Sequence, residues 1–239
     1  MDVSMKERKS KPRYLVAKEY LLEKIRNMVP GDNQLEPENL LTGKLSMSRE
    51  TIRKAMSELI HEGVVTRWHG KGNFGHPRVT NLPMRMDINS DFRRILTEAG
   101  FRVRTVRSEA QAAAPSQAMR KRMGEETTAE VITFEQFFYA GDELAIQCRV
   151  ELPGRNVVTI PESGEYTENI NAFLLQHCNM ESSHTTAWLR AGLQENAAKR
   201  FGLAAGTPLL EWDEVYYNIY DQAIGYVKIC FHPEIIDLS

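Results

Sequence analysis

Two arginines four residues apart, Arg49 and Arg53, open the stretch SRETIRKAMSELIHEGVVTRWHGKGNF, whose polar side chains suit a duplex of DNA. A guanidinium carries parallel N–H donors that match a guanine edge or a phosphate. Thr51 and Ser48 add hydroxyls beside them, and Ser48 can cap a helix while also reaching a phosphate. Further on, His69-Gly70-Lys71-Gly72 sets a lysine between two glycines, which lets a turn approach a groove or a phosphate closely. The candidate set is therefore Ser48, Arg49, Thr51, Arg53, His69, Gly70, Lys71 and Gly72. Its chemistry is recognition of a polyanion, with no nucleophile, acid or base implied.

These residues need elements to hold them. Ile52, Ala55, Met56, Leu59 and Ile60 recur at i, i+3, i+4, i+7 and i+8, the buried face of a helix that begins after Ser48 and stops at Gly63. Arg49 and Arg53 lie off the centre of that face. Val64, Val65 and Thr66 favour a strand, and the glycine-rich turn returns the chain through Asn73 and Phe74, which predicts a hairpin. Upstream, Ala17, Leu21, Ile25 and Met28 share a face of a helix over Tyr14 to Met28. Val29-Pro30-Gly31-Asp32 breaks it, and a short helix from Pro37 to Leu45 follows, with Ser46-Met47 as the turn into the arginine-bearing helix. Three helices and a hairpin make a winged helix-turn-helix. A helical bundle without a DNA role has the same apolar stripes, but it explains neither the arginine placement nor the glycine-rich hairpin.

At 239 residues, 42% hydrophobic and 26% charged, the chain can bury a core without a disulfide or metal staple. The three cysteines, Cys148, Cys178 and Cys230, show no ligand spacing; an odd count without a signal-like start predicts free thiols in a reducing cytoplasm. His177 beside Cys178 does not suggest a metal, because adjacent side chains on a helix diverge by about 100°. No apolar run approaches a membrane span. The net charge of −2 conceals an asymmetry: fourteen basic and ten acidic residues through His76, sixteen and 22 after it. That distribution suits a unit that meets phosphate joined to one that does not.

Residues 1–12 read as a flexible basic tail, 13–76 as the DNA-binding unit, 77–88 as a linker with two prolines, and 89–239 as a mixed α/β unit. The expected elements of that second unit begin with a helix from Ser90 to Ala99, a strand from Phe101 to Ser108 and a helix from Ser116 to Met123. Strands over Val131 to Tyr139 and Leu144 to Glu151 join through Ala140-Gly141-Asp142-Glu143. A helix over Glu168 to His177, a strand over Thr186 to Gly192 and a helix over Glu195 to Phe201 follow. Strands over Pro208 to Ile219 and Ala223 to Phe231 pair across Tyr220-Asp221-Gln222. Trp188 and Trp212 read as core aromatics.

From Tyr14 to about Gly75 the chain resembles the DNA-binding domain of GntR-family transcription regulators, through Pro30-Gly31-Asp32, Leu35, Glu38, Ser48-Arg49-x-Thr51-Ile52-Arg53, Leu59, Glu62-Gly63 and Gly70-x-Gly72. It departs in Leu35-Glu36-Pro37-Glu38-Asn39, where the family usually has Leu-Pro-Ser-Glu-Arg, so Asn39 stands at a phosphate-contacting arginine; Asn73 replaces the more usual Thr. The second unit looks like the UTRA domain of the HutC subfamily, which shares its fold with chorismate lyase. That likeness rests on element order, Gly141-Asp142-Glu143, Leu152-Pro153, and Phe201-Gly202-Leu203 through Gly206-Thr207-Pro208-Leu209-Leu210. Lys228 stands at a family arginine, and Glu135 takes a strand position where members often carry arginine.

The resemblance implies an α+β protein: an N-terminal winged helix-turn-helix and a C-terminal antiparallel-sheet domain of chorismate-lyase-like fold. It implies a homodimeric, cytoplasmic, operator-binding regulator, a repressor, controlled by a small-molecule effector, with no cofactor and no catalysis. Arg149 and Lys228 sit on strands where relatives bring side chains into the ligand cavity, and His184, Arg190, Tyr216 and His232 complete the effector candidates. Two alternatives stay open. A chorismate-lyase-like enzyme shares the fold, although the chain has no nucleophile elbow, P-loop or dinucleotide fingerprint. A DNA-binding protein without a ligand, down to a non-specific architectural binder, predicts no effector response or no operator preference.

Overall fold

The computed structural model describes residues 11–29, 31–80, 91–124 and 130–237. The first ten residues of the expected tail, Pro30 of the helix break, most of the expected linker and Ser90 lie outside the described residues. The chain divides into two compact units, Met1–Leu82 and Pro83–Ser239.

In the first unit, α1 (Arg13–Arg26), α2 (Glu38–Leu45) and α3 (Arg49–His61) bury Ala17, Leu21, Ile25, Leu41, Ile52, Ala55, Met56 and Leu59 in one core. The apolar spacing alone accounts for that core. Ser48 is the N-cap of α3: its Oγ accepts from the Thr51 amide at 3.2 Å and lies 2.8 Å from Thr51 Oγ1. Between α2 and α3 the chain turns at Ser46, held left-handed at φ 50°. Pro37 caps α2 rather than opening it, since its ψ of 145° is extended.

The hairpin is β1 (Val65–Trp68) and β2 (Gly72–Gly75), paired antiparallel from Val65↔Gly75 to Trp68↔Gly72. His69, Gly70 and Lys71 form its three-residue loop, closed by Lys71 N–H donating to the Trp68 carbonyl at 3.0 Å. The loop needs Gly70 at φ +75° and Gly72 at φ +116°. Leu35 N–H donates to the Asn73 carbonyl at 2.8 Å and Gly75 N–H to the Asn33 carbonyl at 2.8 Å, so the segment before α2 supports the hairpin's inner edge. The expected linker begins differently from the sequence reading: Pro77–Thr80 forms a helical turn, α4, with Val79 against the helical core.

The second unit is built on an antiparallel sheet in the order β7-β3-β5-β6-β10-β9-β8, with β4 pairing β5. Its strands are β3 (Val103–Arg107), β4 (Gln111–Ala113), β5 (Val131–Ala140), β6 (Glu143–Pro153), β7 (Gly164–Glu165), β8 (His184–Gly192), β9 (Leu209–Tyr217) and β10 (Ala223–Phe231). On one face α5 (Phe92–Glu98) and α7 (Ile170–Cys178) press Phe92, Ile95, Leu96, Phe173 and Leu174 onto Phe134, Cys148, Val150, Trp212, Tyr216 and Val227. On the other, α6 (Gln117–Met123) seats Met119 on Val131, Val215 and Tyr226, and α8 (Glu195–Arg200) seats Ala197 and Ala198 near Leu209 and Cys230. Several details differ from the sequence reading, among them α7, which starts at Ile170 rather than Glu168. β4 and β7 are too short to carry a period of two. β8 starts at His184, two residues before the expected Thr186, because His184 pairs with Tyr217. The β9–β10 turn takes Asn218 and Ile219 from the expected strand, since Asn218 Oδ1 accepts from the Tyr220 and Gln222 amides at 3.0 and 3.1 Å.

Candidate nucleic-acid interface and effector cavity

Packing decides which cations of the first unit remain available. Lys18 pairs with Glu58 and Glu62, Lys24 and Lys44 with Glu36, and Arg67 with Glu38 at 2.8 Å. Those side chains are occupied in holding helices and hairpin together. Arg13 donates to the Ser46 carbonyl at 2.6 Å, and Lys11 pairs with Glu19. Arg49 and Arg53 are exposed on the first two turns of α3 and, among the described residues, make no ion pair. Thr51 is half-buried beside its capping partner Ser48. Asn39, in the first turn of α2, is exposed as well.

At the hairpin tip, Lys71 lies 4.2 Å over the ring of Trp68, which is 57% exposed. His69, Gly70 and Gly72 are exposed around it. The structure thus displays Lys71, His69 and the two glycines together at the tip of one hairpin, and Ser48, Arg49, Thr51 and Arg53 together at the start of one helix. Sequence reasoning passed over Trp68. Its signal was available: an apolar aromatic at the end of a strand whose neighbours Arg67 and His69 are polar.

The second unit holds a cavity between the sheet and α5 and α7. Its inner part, about 100 Å³, is lined by Phe92, Gln136, Phe138, Cys148, Tyr216 and Val227 among others. Thr105, Tyr166, Glu168 and Arg93 also border an outer, open groove of about 950 Å³, where Arg102, Arg104 and Arg107 join them. Burial pushes the Cys148 thiol and the Tyr216 phenol far above their ordinary values, so both are neutral donors. The Tyr216 hydroxyl donates to Glu214 at 2.7 Å; burial raises the Glu214 carboxyl in spite of that bond.

Of the six effector candidates, Tyr216 lines this cavity. Arg190 and Lys228 instead lie on the opposite face of the sheet, bound to two buried carboxylates. Arg190 holds Glu211 at 2.9 Å and Asp213 at 2.6 Å, and Lys228 holds Glu211 at 2.6 Å and Asp213 at 3.6 Å. Tyr226 completes the group by donating to Asp213 at 2.7 Å. Burial alone would raise both carboxyls, but these partners outweigh it and hold them below their ordinary values. Arg149 pairs with the buried Glu151 at 3.3 Å, on the strand position opposite Lys228. His184 stacks on Tyr217 at 5.0 Å and meets Asp221 at 3.1 Å, while His232 is buried against Phe201 at 5.5 Å. Glu135 pairs with Arg200, and the β5 residues that line the cavity are its neighbours Gln136 and Phe138. A one-residue step along a strand reverses the face.

A helix-turn-helix with a wing, joined to a sheet domain with a helix-covered cavity, is the architecture of a DNA reader coupled to a small-molecule sensor. The comparisons carry this to a family. Residues 13–74 match the model of bacterial regulatory proteins of the gntR family, and residues 95–237 match the UTRA domain. The second match spans more than half the chain, and the chain belongs to the UTRA-domain family, with a gntR-type reader ahead of that domain. It is 36% identical over 81 residues to the probable fructoselysine utilization operon transcriptional repressor of Escherichia coli K12, a match covering 33% of each chain. Among solved structures, the possible transcriptional regulator YydK of Bacillus subtilis aligns over 96% of this chain and 98% of its own, with TM-score 0.70 and 18% identity. PhnF of Mycobacterium smegmatis aligns over 93% and 97%, with TM-score 0.55 and 16% identity. At those identities the two share the fold.

Proposed function

We propose that this protein is a transcription regulator of the HutC type, a repressor working in the cytoplasm as a homodimer on a two-fold operator, and that it catalyses no reaction. The observation that carries the reading is the pair Arg49 and Arg53, exposed on a capped helix and without an ion pair among the described residues, in a unit where Lys18, Lys24, Lys44 and Arg67 each meet a carboxylate. Residues 13–76 act as the reader, with Arg49 and Arg53 at base edges, Ser48 and Thr51 near phosphate, and His69, Gly70, Lys71 and Gly72 bringing the wing to the backbone. Residues 89–239 act as sensor and dimerisation domain, and 77–88 connect the two. Homodimer formation is supported by β8, a nine-residue strand at the end of the sheet, paired among the described residues only with β9 and exposed along most of its length, with Leu189 57% exposed. Such an edge leaves backbone donors and acceptors open, which a second copy can pair across a two-fold axis.

The effector reading is supported by the cavity and by the matched UTRA domain. Tyr216 is kept as a contact, with Gln136, Thr105 and Tyr166 beside it; the bound ion pairs of Arg149, Arg190 and Lys228 favour a structural part for those three. The deciding experiment titrates labelled duplexes from the DNA flanking this protein's gene. Tight binding of one duplex over random DNA at fixed salt is expected, and an Arg49→Ala/Arg53→Ala double variant that binds it unchanged overturns the reading.

A further inference from the structure

One buried group near the cavity is not explained by packing. Arg107 is 4% exposed, and its guanidinium faces three rings: Tyr166 at 4.6 Å, Phe173 at 4.9 Å and Phe134 at 5.5 Å. One terminal nitrogen donates to Glu168, the other reaches the Glu162 carbonyl at 3.5 Å, and Nε has no partner among the described residues. The buried hydroxyl of Tyr166 also lacks one. A guanidinium presents Nε and one terminal nitrogen along a single edge, spaced for the two oxygens of a carboxylate or phosphate. Glu168 uses half of that edge. An apolar residue would fill the space without leaving buried donors open.

We propose that Arg107 is the anchor for the effector's anionic group, and that the effector is a compact organic acid whose carboxylate or phosphate takes the Nε edge in competition with Glu168. This rests on the reading that the sheet domain binds an effector. The register sets Arg107 opposite Gln136, so the cation that faces the ligand comes from β3 while β5 supplies a neutral amide. The inner space of about 100 Å³ has room for about three waters' volume, so it takes a small group between Phe92, Phe138 and Tyr216. Arg93, Arg102 and Arg104 line the outer groove and, among the described residues, none of them pairs with a carboxylate; they draw an anion toward the buried site. Asp142, Glu162 and Glu165 lie on the same rim but are exposed, where water screens them.

The test uses the full-length protein, with inorganic phosphate and butyrate as probes, titrated calorimetrically at constant ionic strength against wild type, Glu168→Gln and Arg107→Lys. Saturable binding of one probe is expected, phosphate pointing to a phosphorylated effector and butyrate to a carboxylic acid. Glu168→Gln should tighten that binding by about threefold or more by removing the competitor, and Arg107→Lys should weaken it by about tenfold, the scale of one charge-assisted hydrogen bond. Failure of both probes to saturate wild type and Glu168→Gln overturns the proposal, as does equal affinity in Arg107→Lys. If Arg107→Lys does not fold, Glu168→Gln decides, and unchanged or weaker binding there counts against it. Operator titrations on the same samples separate the two readings: retained DNA binding without anion binding sinks the anchor alone, whereas anion binding that leaves operator affinity unchanged supports the anchor and sinks effector control.

Discussion

Arg49 and Arg53 differ from Lys18, Lys24, Lys44 and Arg67 in what surrounds them. Lys18, Lys24, Lys44 and Arg67 each meet a carboxylate, so neutralising any of them should act first on stability. Arg49→Ala or Arg53→Ala removes no ion pair or side-chain hydrogen bond among the described residues. Each should leave the melting temperature within a degree or two while costing about 1–3 kcal/mol in operator affinity, read by fluorescence anisotropy. Lys71 lies over Trp68 at the wing tip. Lys71→Ala should weaken every duplex alike and reduce the slope of log affinity against log salt by about one. A sequence-dependent loss instead would place Lys71 at a base edge.

At the scale of elements, the hairpin depends on one backbone conformation. Gly72 has φ +116°, and a Cβ there would lie 2.9 Å from Nε2 of Gln34, the amide that donates to the Lys71 carbonyl at 2.7 Å. Gly72→Ala should therefore destabilise the reading unit by about 1–3 kcal/mol, seen in denaturant unfolding, and lower DNA affinity even though no contact group is lost. In the sheet, the carboxyls of Glu211 and Asp213 lie below their ordinary values when folded. Their ion pairs with Arg190 and Lys228 thus stabilise at neutral pH, and that stabilisation is lost as pH falls through the folded values. Lys228→Met should lower stability at pH 7 by about 1–3 kcal/mol, and the gap to wild type should begin to narrow as pH falls below the ordinary carboxylate range near about 4 and close only below the folded values. A constant gap across that range would mean the pairs contribute packing rather than charge. Much of this level was legible in the chain. Apolar spacing marked α1, α3 and the long strands, Ser48 marked the start of α3 and Gly63 its stop. The two- and three-residue strands β7 and β4 were not legible, since they exist only because longer neighbours hold their backbones.

For the whole molecule, β8 is the place where self-association can be tested. Leu189→Lys puts a charge on an exposed position of the end strand without touching the buried network of Glu211 and Asp213. Sedimentation velocity should show a shift from dimer to monomer, with a parallel loss of cooperative operator binding. A dimer that persists in this variant puts the two-fold contact elsewhere.

What the chain's own residues determined was local. The period of 3.6 in α3, the cap at Ser48, the left-handed glycines of the wing and the charge asymmetry between the halves are all properties of neighbours in sequence, and they suffice to mark the reader. The sensing side is different. Arg107 stands on β3, Gln136 on β5, and Tyr166 and Glu168 in the connector before α7, and nothing in their spacing says that β3 lies beside β5 or that α7 packs on the sheet. Strand parity also separated Gln136 from Glu135, and it turned Arg190 and Lys228 toward buried acids rather than the cavity. Only the sheet order and the layering of helices on it decide which of two alternating faces encloses a ligand and which closes on itself.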